Sequence, residues 1–180
     1  MCLIICQNIY ANNSKCIINS VPERFLSENN TIWADIGDRI LNSNYKVYYI
    51  NWKGLGGWTK ESLDFAKMIE KAKSQGKIII FNLIGYSASS HAFVTCYSSK
   101  IIFNNQTLMF HGPGDMDGKR YKFDPSGNVT ILFNQCVKRG LLTRRDSEHM
   151  YKGSGYEIYL DSYRKMFRPD RRQTIHNFNK

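Results

Sequence analysis

Apolar residues along the chain fall into two patterns, short runs of strand length and longer segments with helical spacing, and their order predicts the architecture. The opening Met1-Cys2-Leu3-Ile4-Ile5-Cys6 is a short apolar run that reads as a buried strand. Tyr45 to Asn51 (YKVYYIN) is rich in β-branched and aromatic residues and leads to Gly54, Gly56 and Gly57, which marks a strand ending in a permissive loop. A helix is expected from Thr59 to Ser74. Thr59 is a suitable N-cap, Leu63, Phe65, Ala66, Met68, Ile69 and Ala72 form a broad apolar arc, and Gly76 stops the segment.

Lys77 to Ile84 (KIIIFNLI) is almost continuously apolar, as in a parallel strand covered on both faces. From Ala88 the positions Ala88, Ala92, Phe93 and Cys96 recur at helical spacing. Ile101 to Phe103 and Leu108 to Phe110 read as short strands around an Asn104-Asn105 turn. Asp115 to Gly127 is loop-like, and Val129 to Arg139 and Leu142 to Met150 are expected helices. The order βαβαββ followed by helices indicates an α/β fold in one domain, with helices flanking parallel strands. Trp33, Trp52 and Trp58 are expected in the core.

Composition narrows the class. At 180 residues the chain is long enough to bury a core without staples, and 42% hydrophobic against 22% charged residues argues against wholesale disorder. No apolar run reaches membrane-spanning length, and the apolar opening lacks the cationic start of a signal peptide. Cys2, Cys6, Cys16, Cys96 and Cys136 are an odd, scattered set without a C-x-x-C pair. They predict neither a disulfide framework nor a metal site, and they fit a reducing cytoplasm. The net charge of +10 includes +5 from Arg164 to Lys180 alone, so half the excess is a basic tail and nucleic-acid binding is not indicated. That tail, residues 164–180, is expected to be a peripheral extension of a body spanning residues 1–163.

Three stretches carry the residue types of acyl-transfer chemistry. Gly54-Leu55-Gly56-Gly57 follows a strand, where missing Cβ atoms let backbone N–H groups approach an oxyanion; alone it is equally a tight strand-to-helix turn. Gly85-Tyr86-Ser87-Ala88-Ser89-Ser90-His91 lies where a buried strand gives way to a helix. A serine there has its hydroxyl near unsatisfied N–H groups, although Ser87, Ser89 and Ser90 are also ordinary N-cap residues. Leu108-Met109-Phe110-His111-Gly112-Pro113 delivers a histidine at a strand end, where an imidazole can serve as a base; His91, His149 and His176 compete for that role.

Taken together, these stretches resemble the Clp-type proteolytic subunit family of serine peptidases, whose fold is shared with the crotonases. In that family a strand runs into a Gly-Gly loop, a later strand ends in G-x-[AS]-A-S at the nucleophile, and a further strand ends in M-[IF]-H at the base. The resemblance covers roughly Tyr45 to Asp161, with Gly56-Gly57, Gly85-Tyr86-Ser87-Ala88-Ser89 and Met109-Phe110-His111 in the same order. It implies a ClpP/crotonase-like fold of repeated β-β-α or βαβ units. It also implies a nucleophile at Ser89, a base at His111, and an oxyanion hole from the N–H groups of Ser90 and of Gly56 or Gly57.

Two positions depart from the family pattern. Ser90-His91 follows the nucleophile where Met or Ala and a small residue are usual, and the family's acid aligns with Gly153. Asp146, Glu157 and Asp161 are therefore the candidates for the acid, and Thr143-x-x-Asp146 is alternatively a capping pair. The resemblance further implies protein or peptide substrates, no cofactor, a ring of identical subunits and an ATP-dependent unfoldase as partner. A phage-type head maturation protease, a crotonase-like acyl-CoA enzyme and an inactive ClpP-like structural subunit are the alternatives.

Overall fold

Strand β1 (Ile4–Ile9) turns back antiparallel on β2 (Asn13–Ile18), and from there the sheet grows by parallel crossovers. β2 pairs with β4 (Val47–Gly54), β4 with β6 (Ile78–Ala88), and β6 with both β7 (Lys100–Ile102) and β8 (Leu108–His111). β9 (Glu157–Leu160) adds to β8 antiparallel. Two short strands, β3 (Arg24–Phe25) and β5 (Gly56–Gly57), form a separate parallel pair. The computed structural model describes residues 4–9, 13–112, 127–151 and 157–160. Its helices are α1 (Asn30–Asn42), α2 (Thr59–Ser74), α3 (Ser90–Thr95), α4 (Asn128–Lys138) and α5 (Arg144–Tyr151). This is a mixed α/β domain with a mainly parallel sheet flanked by helices, as the order of patterns implies.

Burial explains the register. Along β4 and β6 every second side chain (Tyr48, Ile50, Trp52 and Ile79, Phe81, Leu83) enters one core with Trp33, Ile36 and Ile40 of α1 and Leu63, Phe65 and Ile69 of α2. Each such side chain contributes about 1.5–3 kcal/mol when fully buried, so a one-residue slip of either strand would forfeit several of these at once. α1 and α2 approach closely at Gly37, where a Cβ would lie 2.3 Å from Met68 Cε. The C-terminal carbonyls of α1 are satisfied by one cation: Lys77 Nζ donates to Ile40 O, Leu41 O and Ser43 O.

Local differences from the sequence expectation have physical causes. α2 has its expected bounds, with Trp58 rather than Thr59 at the N-cap. β6 runs past Ile84 to Ala88 because its last residues pair with β8. β7 and β8 both add to β6 instead of to each other, across a turn in which Asn104 and Asn105 take positive φ. Trp33 and Trp52 are core residues, whereas Trp58 is 44% exposed beside the glycine loop. β2, β3 and α1 lie between Cys6 and Tyr45, a stretch with no element in the expected order.

The cysteine expectation is corrected. Cys96, at the end of α3, and Cys136, on α4, are joined by a disulfide across a sequence separation of 40. Only helix packing brings them together, so spacing gave no sign of the pair, and the cysteine count no longer argues for a reducing compartment. Among the described residues no helix is long and apolar enough to cross a membrane. Nearly all of the expected loop from Asp115 to Gly127, together with Gly153, Asp161, His176 and the basic tail, lies outside the described residues.

Candidate active site

Three adjacent serines are separated by the end of β6. Ser87 is fully buried, its Oγ 3.5 Å from Gly85 O, and Ser90 is buried with its Oγ donating to Gly57 O at 2.9 Å. Ser89 alone is half-buried and accessible. It holds the N-cap position of α3 with φ 55° and ψ −129°, and its side chain makes no capping bond to the helix. A left-handed φ on a non-glycine residue costs about 1–3 kcal/mol and persists only where surroundings enforce it. Here the enforcement is visible: Ser89 N–H donates to Met109 O at 2.8 Å, and Ser89 O accepts from Phe93 N–H at 3.0 Å. The strand therefore turns sharply into α3 with Ser89 at the apex, in the N-cap position but with its hydroxyl not used to cap the helix.

The glycine loop closes on that apex. A Cβ on Gly56 would stand 2.5 Å from Ser89 Cβ, 2.9 Å from Ser89 Oγ and 3.1 Å from Ser90 N, at a φ of +101°. Only glycine permits both the conformation and the approach. The loop is held from below by β3 and α3: Leu55 N–H donates to Glu23 O, Trp58 N–H to Phe25 O, and Gly56 N–H to His91 Nδ1 at 3.2 Å. Of the two glycines expected to offer an oxyanion donor, Gly56 already spends its N–H on His91.

His91 is fully buried among Phe25, Trp33 and Trp52, with ring centroids 4.6, 5.7 and 4.9 Å away. Its Nε2 lies 3.0 Å from Pro22 O. A carbonyl only accepts, so Nε2 carries the proton and Nδ1 is free to accept from Gly56. Burial holds this imidazole down at about 4, outweighing the raising effects of the bonds to Pro22 and Gly56 and of the Glu23 charge. Both nitrogens face backbone, so His91 is no base for Ser89. His149, on α5, meets Arg145 Nε at 3.3 Å on the outer surface.

His111 ends β8, the strand next to Ser89. Ser87 and Ala88 pair with Leu108 and Met109, and the bond from Ser89 N–H to Met109 O sets His111 two residues beyond the point of attachment. Its Nδ1 lies 2.6 Å from Gly112 O, which makes Nδ1 the donor of that bond. Two of the three acid candidates lie among the described residues. Asp146 is buried at the start of α5, where its Oδ2 accepts from Thr143 N–H and its own N–H donates to Thr143 Oγ1, a reciprocal cap. Glu157, in contrast, stands directly opposite His111 in the antiparallel register of β8 and β9.

The sequence motifs thus converge at the carboxyl ends of β4, β6 and β8, and two contributions had no local sequence signal. One is the Glu157 pairing, set by register; the other is the bond from Gly56 to His91, set by packing. No family model matches the sequence, and no curated protein matches it. Among solved structures, the fold is similar to the ClpP protease catalytic domain of Plasmodium falciparum, with a TM-score of 0.59 over 81% of this chain and 76% of that one. Sequence identity is 16%, and the likeness is one of fold.

Proposed function

We propose that the chain is a serine endopeptidase of the Clp-protease type acting on unfolded polypeptides. The observation that carries this reading is the Ser89 turn, in which one serine of three is accessible, strained and unbonded to its helix, against a glycine loop and beside a strand ending in histidine. In the proposed reaction Ser89 Oγ attacks the peptide carbonyl while His111 Nε2 takes its proton and hands it to the leaving amine. Water then attacks the acyl-enzyme, His111 takes a proton from it, and that proton returns to Ser89. The N–H groups of Ser90 and Gly57 stabilise the oxyanion. Gly112 O holds the His111 tautomer, and Glu157 supplies the negative charge that favours the imidazolium. Enclosure in a ring of identical subunits, with an ATP-dependent unfoldase feeding substrate, belongs to the same proposal on the strength of the family resemblance.

A fluorophosphonate probe tests it. Labelling at Ser89, found by mass spectrometry and lost in Ser89→Ala and His111→Ala, supports the peptidase; a folded protein that is not labelled refutes it. Hydrolysis of an unfolded protein then separates the acids. Glu157→Gln should lose at least about tenfold in kcat, whereas Asp146→Asn should keep its kcat and lose about 1 kcal/mol of stability with its cap.

A further inference from the structure

We infer that His91 is a positioning residue, which locks the Gly54–Gly57 loop to the Ser89 turn through the bond from Gly56 N–H to its Nδ1. The inference rests on the peptidase reading for its catalytic consequence, but its geometry stands alone. His91 follows Ser89 and Ser90 in the same helical turn, so it reports that turn's position to the loop across 35 residues of sequence. Its ring is fully enclosed by Phe25, Trp33 and Trp52, and Trp52 Nε1 donates to His91 O at 3.0 Å, so neither ring nor backbone is free to shift. Gly54 makes room for it: a Cβ there would lie 2.3 Å from His91 Nε2. On the far side Nε2–H is held by Pro22 O, in the segment that leads into β3. β3 in turn pairs with β5.

One imidazole therefore joins the nucleophile helix, the glycine loop and the strand beneath it. With the Gly56 amide turned inward to His91, the oxyanion donor that the proposal assigns to the loop is the amide of Gly57. A peptide plane between two anchored neighbours has little freedom, and preorganised donors of this kind are what an oxyanion requires. Making both bonds at once requires histidine. Asparagine reaches with its side-chain oxygen to the place of Nδ1, and glutamine reaches with its amide to the place of Nε2, but neither makes both bonds.

The test uses that difference. In the wild-type protein at pH 7, two-bond proton–nitrogen correlation should show the His91 ring neutral, protonated at Nε2 and bare at Nδ1; a proton on Nδ1 overturns the inference, and no variant is needed. In His91→Gln the Gly56 amide should exchange with solvent at least about tenfold faster, and fluorophosphonate labelling of Ser89 should slow by about tenfold or more. His91→Asn should recover most of both losses. Equal losses in Asn and Gln, or unchanged Gly56 exchange in Gln, would show that the ring only fills space. If the wild-type Ser89 is not labelled, the peptidase reading falls, while Gly56 exchange still decides the anchor.

Discussion

Acidification should destabilise the fold through His91, by an amount that follows from its burial. The ring titrates near 6.5 in the unfolded chain and is held at about 4 in the native one, chiefly by desolvation. As pH falls below about 6.5 the unfolded state takes up a proton that the native state refuses, so stability rises with pH across this window. The contribution of the neutral ring is fully present above about 6.5 and is lost as pH falls towards about 4. Between pH 7 and pH 5 the loss is about 2 kcal/mol, and by pH 4 about 3 kcal/mol. Set against the usual 5–15 kcal/mol of a domain this size, that is a sizeable fraction. Glu23, ion-paired with Lys53, is the charged group that acts on the ring, and it remains in a His91→Asn variant. Urea unfolding followed by the fluorescence of Trp33 and Trp52, both packed on His91, gives stability at each pH. The wild type should lose about 2 kcal/mol more than His91→Asn between pH 7 and pH 5. Equal losses in the two proteins would refute the reasoning.

Ser89→Gly should raise stability by about 1 kcal/mol while abolishing labelling, because glycine adopts the observed φ of 55° without strain; a lower unfolding midpoint would show the turn is relaxed. Lys77→Met should cost about 2–3 kcal/mol in urea unfolding by leaving three carbonyls at the end of α1 without their charged donor, and a change below about 0.5 kcal/mol would mean that water replaces it. Cys136→Ser should lower stability by up to about 4 kcal/mol, the chain-entropy value for a separation of 40, and reduction of the wild-type protein, which also opens the disulfide of Cys16, should cost at least as much. A midpoint insensitive to reductant would show that the link does not form.

Local pattern was enough to determine much of the framework. The arc from Leu63 to Ala72 specified α2 to its bounds, the apolar run of Lys77 to Ile84 located β6, and the glycine, serine and histidine motifs lay in order at strand ends. These features are encoded within a few residues, by periodicity and by backbone preference, and so can be read without a partner. α1 was within reach by the same means, since Trp33, Ile36 and Ile40 recur at helical spacing.

Tertiary structure decided which residues come together. Ser87, Ser89 and Ser90 are chemically alike in sequence, and only the turn into α3 buries two and exposes the third. The pairing of β8 with β9 sets Glu157 opposite His111, and the reciprocal bonds with Thr143 put Asp146 in a cap, while Asp161 lies outside the described residues. Cys96 meets Cys136, and His91 meets Gly56, because helices and loops pack across 40 and 35 residues of chain. Contacts of that range depend on register and packing summed over the whole core, which no local run of residues encodes.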